Sequence, residues 1–125
     1  MIHLDTSFLI RALVAGSRED LKLREWLRSG EPLGMSSVAW AEFLCGPIER
    51  IQLELALEIV GEPEPFGRRH AVLAAGLFNR SGRRRGSLLD CMIAASAIEA
   101  DSSLATPNVD DFRRFVAAGL RILTA

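Results

Sequence analysis

Three carboxylates, Asp5, Glu42 and Asp90, lie at positions where the sequence predicts apolar surroundings. Asp5 ends an apolar run at residues 1–4, and Asp90 begins a predicted helix whose residues 91–98 are nearly all apolar. A helix cap explains either aspartate, because a carboxylate before the first helical turn accepts backbone hydrogen bonds. The alternative is a shared cation site, and for each residue taken alone both explanations stay open.

Glu42 is harder to explain as part of the fold alone. On a helix it shares one face with Val38, Ala41 and Cys45, which predicts that its carboxylate lies on an apolar, buried stripe. An unpaired buried charge costs several kcal/mol, so such a glutamate must be ion-paired, protonated or bound to metal. A structural arginine partner and a functional role are both compatible with the pattern.

The elements that would position these residues follow from the apolar periodicity. Short strands that alternate with helices predict a parallel α/β sheet, and ligands bind beyond the carboxyl ends of such strands. The predicted strands are residues 1–4, 32–36, 104–106 and 120–123, with a further short strand at 64–66 as an option. The predicted helices begin after Thr6 or Ser7, after Ser17 and after Ser36 or Ser37, and occupy residues 48–60, 68–79 and 88–100.

Carboxylates gathered at one edge of this sheet would repel one another. Asp5 and residues 106–111 both follow predicted strands, so the carboxyl-end rule places them together. A hard divalent cation such as Mg²⁺ relieves the repulsion, because it binds carboxylate oxygens and keeps several waters. The chemistry typical of such a cluster is phosphoryl transfer or phosphodiester hydrolysis, in which the metal polarises the phosphate and lowers the pKa of a bound water.

The totals restrict the class of protein. The 125 residues fit one domain, residues 1–125, and the net charge of −1 argues against a protein that coats nucleic acid by bulk charge. No signal peptide and no apolar run long enough to span a bilayer are present, so we expect a cytoplasmic protein without membrane contact. Cys45 and Cys91 lie in apolar stretches, which predicts two buried free thiols.

Four segments carry a family resemblance, and their order and spacing cover the whole chain. They are residues 2–7 (IHLDTS), 36–46 (SSVAWAEFLCG), 89–95 (LDCMIAA) and 104–112 (LATPNVDDF). Together they resemble the motifs of the PIN-domain family, in particular the VapC-like ribonuclease toxins of type II VapBC toxin–antitoxin systems. The resemblance implies a three-layer α/β/α fold with a short parallel sheet of four or five strands.

The resemblance also implies an activity and its residues. It is that of an endoribonuclease dependent on Mg²⁺ or Mn²⁺, in which a metal-activated water hydrolyses RNA. Transferred position by position, Asp5, Glu42 and Asp90 become catalytic metal ligands. Many members place an aspartate where Asn108 stands, so either the Asn108 amide oxygen or the Asp111 carboxylate completes the site. The implied partners are RNA, a cognate VapB-like antitoxin whose tail enters the active groove, and a second copy of the chain.

Five further residues are candidates for substrate contact: Thr6, Thr106, Arg83, Arg84 and Arg85. A threonine hydroxyl can position a water or a phosphate oxygen, and arginine binds phosphate through a planar fork of donors. For the arginine run, two alternatives stay open: a solvated loop, or an ion pair that neutralises the acidic cluster.

Two other functions compete with a nuclease. A haloacid-dehalogenase-like phosphatase would use Asp5 as a nucleophile, but those enzymes carry a second aspartate two residues later, where Ser7 stands. A catalytically weak PIN-fold module that binds RNA or another partner is the second alternative, and the intact Asp5, Glu42 and Asp90 argue against it. Thermal stabilisation by divalent metal would separate these hypotheses, because a ligand of the folded state alone raises the melting temperature.

Overall fold

The chain folds around a parallel β-sheet. The computed structural model of the protein describes residues 1–85 and 87–125, and within them four strands pair in the order β2-β1-β3-β4. Every pairing is parallel, with His3 opposite Gly34 on one side and opposite Leu104 on the other. The strands are β1 Ile2–Leu4, β2 Leu33–Gly34, β3 Ser103–Ala105 and β4 Arg121–Leu123.

Helices flank this sheet, which confirms the predicted α/β/α arrangement around a short parallel sheet. The connections between parallel strands must cross over, and the helices supply those crossovers. In the described residues they are α1 Thr6–Ala12, α2 Arg18–Arg28, α3 Ser37–Leu44, α4 Arg50–Val60, α5 Arg68–Arg80, α6 Leu88–Glu99 and α7 Val109–Phe112, followed by a 3₁₀ helix at Arg113–Ala118.

The first strand and its helix lie at the centre of the fold. All three residues of β1 are buried, as expected for a parallel strand covered on both faces. We expected Thr6 or Ser7 to cap the following helix, but the N-cap of α1 is Asp5, whose side chain accepts from the Thr6 amide. Of the two predicted caps of α3, Ser36 and Ser37, the cap is Ser36, whose hydroxyl accepts from the Ala39 backbone amide at 3.1 Å.

Small side chains let α6 pack closely against its neighbours. Its buried residues include Ala94, Ala95 and Ala97, and α5 lies along it. The apolar periodicity of residues 68–79 predicts a buried face of Ala71, Val72, Ala75 and Phe78. This prediction was wrong, because an alanine-rich helix has several faces of similar hydropathy and tertiary packing selects one. The helix turns Ala74 and Leu77 inward, whereas the expected face of Ala71, Val72, Ala75 and Phe78 is exposed or half-buried, with Val72 70% exposed.

Two elements differ from the sequence prediction. The optional strand at residues 64–66 is reduced to a single bridge between Ser36 and Glu64. Helix α7 and the 3₁₀ helix were not predicted, because a four-residue helix is too short to show a helical period. The acidic first turn of α7, Asp110 and Asp111, is the local signal that was available, since carboxylates favour a helix start.

The two thiols occupy different environments. Cys91 is buried on α6, as predicted, and burial raises the pKa of its thiol. Cys45 was expected to be buried but is exposed, because it follows the last residue of α3 at the helix C-cap. No helix in the described residues is long and apolar enough to cross a membrane.

The close packing of α6 predicts the effect of adding volume. Ala94→Leu places three extra carbons at a site with no exposed surface, so we expect the free energy of unfolding to fall by about 1–3 kcal/mol. Ala75→Leu makes the same change on the exposed side of α5 and should alter it by less than about 0.5 kcal/mol. Urea unfolding followed by circular dichroism measures both, and equal losses would show that α6 is not tightly packed.

Candidate active site

The candidate site begins where β1 and β3 end side by side. The Asp5 amide donates to the Ala105 carbonyl at 2.9 Å, and the Thr106 hydroxyl donates to Asp5 Oδ2 at 2.8 Å. Asp5 is only 3% exposed and Thr106 is fully buried. The pairing of the two strands therefore fixes the Asp5 carboxylate at the carboxyl edge of the sheet, where open α/β folds bind ligands.

Two threonines hold Asp5 and its helix in position. The Thr6 amide donates to Asp5 Oδ1 at 2.9 Å, while the Thr6 hydroxyl donates to the Ala39 carbonyl at 2.9 Å and so ties α1 to α3. The Thr106 hydroxyl also accepts from the backbone amide of Asn108 at 3.0 Å. Both threonines, expected to contact substrate, are thus buried and bonded to protein groups that shape the site.

Burial gives Asp5 an unusual ionisation. The pKa of its carboxyl is raised from 3.8 to about 6, mainly by removal from water and also by the nearby carboxylates of Glu42 and Asp90. The hydrogen bonds from Thr106 and Thr6 act in the opposite direction, because they stabilise the ionised form. Three carboxylates from three separate elements therefore lie close enough to affect one another.

Asp90 occupies the first turn of α6 and is half-buried. Burial raises the pKa of its carboxyl, and Asp111 and Glu42 add to that rise. Arg114 opposes it: its Nη2 lies 4.0 Å from Asp90 Oδ2. The acidic group thus extends from the end of β1 to the start of α7, and Arg114 lies beside it.

Glu42 corrects a prediction. It is exposed on α3, and the side chains that share its face are also open, with Val38 half-buried and Ala41 and Cys45 exposed. They line an apolar groove of about 460 Å³ between α3 and α6, together with Leu89 and Met92. The helical pattern identified the apolar face correctly, but which faces a neighbouring element covers is decided by tertiary structure. Because the Glu42 carboxylate is exposed, it needs no partner to offset a cost of burial. Its predicted burial is therefore not an argument for a functional role.

Asn108 and Asp111 come from the turn after β3. The side-chain amide nitrogen Nδ2 of Asn108 donates to the Ser7 hydroxyl at 3.0 Å. The side-chain oxygen Oδ1 of Asn108 is the acceptor that could bind a cation. Asp111 is exposed on α7, one helical turn later. Its charge raises the pKa of Asp90, so Asp111 lies within electrostatic reach of that carboxylate.

The arginine run lies in the loop between α5 and α6, and all three residues are exposed. Arg83 packs over the Phe78 ring at 5.4 Å and bonds the Asn79 side chain, so its guanidinium is held within the loop. Arg84 is close enough to Asp90 to favour its ionised form, and Arg85 is solvated. The run therefore divides into one structural residue and two that face solvent.

Arg114 is a site residue that sequence reasoning missed. It contacts the acidic group although it lies outside the four motif segments, in an element that was not predicted. Its spacing of three residues from Asp111 is the one signal that was available, because positions three apart share a helix face.

The donor set fits a hard cation, although the carboxylates have not converged. Asp5, Glu42, Asp90 and Asp111 offer only oxygen ligands, the type that Mg²⁺ and Mn²⁺ prefer. Within residues 1–85 and 87–125, however, no group of three acidic, histidine or cysteine side chains is arranged to hold an ion. Binding would need rotation of side chains, and Glu42 is free to rotate because it is exposed.

The family follows from comparison with known proteins. A sequence model of the PIN domain matches residues 2–117, so the chain belongs to the PIN domain family. This confirms the family that the four sequence segments resemble. A comparison with curated proteins found no significant match.

Solved structures with the same fold include several VapBC toxin–antitoxin proteins. VapBC2 from Rickettsia felis, bound to a promoter DNA fragment, matches at a TM-score of 0.80 and 22% identity, covering 100% of this chain and 99% of that one. DNA-bound VapBC from Salmonella typhimurium matches at 0.75 and 20% identity, covering 98% and 96%. VapBC-5 from Mycobacterium tuberculosis matches at 0.59 and 26% identity, covering 98% and 94%.

The buried Asp5 predicts a specific dependence of stability on pH. Because its folded pKa lies near 6, above the unfolded value of 3.8, its contribution to stability is complete below about pH 4 and is lost as pH rises through 6. Asp5→Asn removes that loss, so with chelator present the variant should become more stable than the native protein by about 1–3 kcal/mol at neutral pH.

The difference in unfolding free energy between Asp5→Asn and native protein, measured from about pH 4 to about pH 7.5, isolates this group. Asp110→Asn is the matched control, because Asp110 is 88% exposed and its ion pair with Arg113 lies at the surface, where such pairs contribute less than about 1 kcal/mol. A difference for Asp5→Asn that does not change with pH would mean that the Asp5 carboxylate is not destabilised by burial.

Proposed function

We propose that this protein is a divalent-metal-dependent endoribonuclease and the toxin of a toxin–antitoxin pair. The observation that carries the proposal is the Asp5 carboxylate, buried at the end of β1 within electrostatic reach of Glu42 and Asp90. A PIN domain fold with carboxylates from three elements at the carboxyl edge of its sheet supports a phosphodiester-cleaving site.

Four residues would hold Mg²⁺ or Mn²⁺. Asp5 supplies the fixed carboxylate, Glu42 and Asp90 supply carboxylates that can turn toward it, and Asn108 supplies its amide oxygen. Asp111 is the alternative fourth ligand, supported by its proximity to Asp90. When bound, the ion supplies a polarised phosphate and a water whose pKa is lowered.

The protein groups around the ion would orient the reaction. Thr106 and Thr6 hold both oxygens of Asp5, so the carboxylate presents one geometry to its ligand. Arg84 and Arg85, exposed beside α6, would contact the RNA backbone. Attack of water on phosphorus, in line with the 3′ oxygen, forms the new P–O bond and breaks the P–O3′ bond, leaving a 5′-phosphate and a 3′-hydroxyl.

A VapB-like antitoxin would cover the apolar groove beside Glu42. Val38, Ala41, Leu89 and Met92 give this groove an almost wholly apolar surface. Exposed apolar patches of this kind are typical of protein–protein contacts. The VapBC composition of the structural neighbours supports an antitoxin as the partner.

A homodimer stays a prediction from the family resemblance. The α4 side chains Ile51 and Leu55, which are 71% and 47% exposed and one helical turn apart, are apolar groups that such a contact would cover.

RNA cleavage by matched variants tests the nuclease. Native protein with Mg²⁺ or Mn²⁺ should cut a cellular RNA pool at discrete positions, and chelator should stop it. Asp5→Asn and Asp90→Asn should lower the rate by at least about 100-fold, because each removes a ligand charge. Asp110→Asn, prepared identically, should cleave like the native protein because Asp110 is solvated.

Contaminating ribonuclease would give the same fragments with all four proteins. If the folded native protein leaves every RNA in the pool intact under these conditions, the nuclease is rejected and the chain is a PIN-fold binding module.

A further inference from the structure

A second cavity shares Arg114 with the surroundings of Asp90. It measures about 530 Å³ and is formed by the C-terminal end of α5 and the 3₁₀ helix. Its polar lining is Arg80, Ser81 and Arg114, and its walls include Leu77 and Phe115. We call this feature the arginine cavity, since two guanidinium groups and no carboxylate line it.

Arg114 connects the arginine cavity to the acidic group. Its guanidinium stacks on the Phe115 ring at 4.5 Å, and its side chain is only 17% exposed. Nη2 is 4.0 Å from Asp90 Oδ2, which is too long for a hydrogen bond. Among the described residues, neither Nε nor Nη2 has a hydrogen-bond acceptor although both are shielded from solvent. Buried donors without acceptors are costly, so a nearby anion would stabilise this arginine.

Arg80 supplies the second positive charge. It is exposed at the end of α5, and its guanidinium lies over Gly76, with Nη2 3.4 Å from where a Cβ would stand. This distance is that of ordinary van der Waals contact, so the guanidinium lies against the helix at the cavity wall. Ser81 adds a hydroxyl at the same rim.

We propose that the arginine cavity binds a phosphodiester group of the RNA strand, next to the bond that is cleaved. This inference rests on the proposed nuclease function, because the cavity would bind the RNA strand just beyond the acidic site. Two guanidinium forks match the oxygens of a phosphate, and the apolar wall suits the adjoining ribose. RNA is favoured over an acidic antitoxin segment because Arg114 joins the cavity to Asp90, whereas the apolar groove lies on the Glu42 side.

The first test compares Arg80→Ala with Arg68→Ala. Both remove one exposed arginine from α5, but Arg68 is at the opposite end of the helix, about 18 Å away at the helical rise. A single-stranded RNA oligonucleotide that contains a mapped cut site is the probe, and Asp5→Asn is the background for binding. Arg80→Ala should weaken binding by about tenfold and lower the slope of log K against log salt by about 0.7, and Arg68→Ala should change neither.

Kinetics and single-phosphate substitution locate the contact. In otherwise native protein, Arg80→Ala should raise KM with kcat nearly unchanged, because Arg80 does not touch the acidic group. Replacing one phosphate at a time by neutral methylphosphonate should reveal one linkage next to the cut whose neutralisation weakens native binding. That linkage should lose its effect in Arg80→Ala, because non-additivity identifies groups in contact. Arg114→Lys, checked for folding by its melting curve, should reduce the same linkage effect.

The outcomes separate this inference from the proposed function. If native protein cleaves RNA but Arg80→Ala retains the native salt slope and every linkage effect, the arginine cavity does not bind RNA. If Arg80→Ala instead weakens only the binding of a VapB-like antitoxin peptide, the cavity is an antitoxin-binding site and the inference is wrong. If the native protein neither binds nor cleaves the oligonucleotide, the nuclease proposal fails and this inference fails with it.

Discussion

The structure depends on one carboxylate that is kept out of water. Asp5 ends the central strand β1, and the parallel pairing of β1 with β3 brings the Thr106 hydroxyl against it at 2.8 Å. The same carboxylate begins α1 through the Thr6 amide, and Thr6 in turn bonds α3. Sheet, first helix and third helix are therefore joined at a group whose ionised form is disfavoured by burial, so the fold retains at this position a charge that destabilises it.

A second constraint is the charge balance around Asp5. Glu42 and Asp90 raise its pKa, Asp111 raises that of Asp90, and Arg114 counters Asp90 from 4.0 Å. A divalent cation would neutralise the acidic group more completely than Arg114, which also lines the arginine cavity. The proposed metal site and the proposed phosphate site are thus two parts of one electrostatic arrangement.

Local sequence signals predicted the parts of the molecule that local physics decides. The buried strands, the Ser36 cap and the apolar α6 each follow from a few neighbouring side chains, and the carboxyl-end rule placed Asp5 beside Thr106. Exposure was not predictable in this way: Glu42 lies on an open groove because no other part of the described chain covers that face of α3. Arg114 was missed for the same reason, since its contact with Asp90 joins residues that are distant in the sequence.

Direct measurement of Mn²⁺ binding tests the central claim, that Asp5 is buried as a charge in order to hold a cation. Calorimetric titration near neutral pH would compare native protein with Asp5→Asn and with Asp110→Asn, which removes an equal but solvated charge. The account predicts saturable binding by the native protein and by Asp110→Asn, and affinity at least about tenfold weaker for Asp5→Asn, because a carboxylate ligand is lost. Equal Mn²⁺ affinity of native protein and Asp5→Asn, or no binding to native protein, would contradict it.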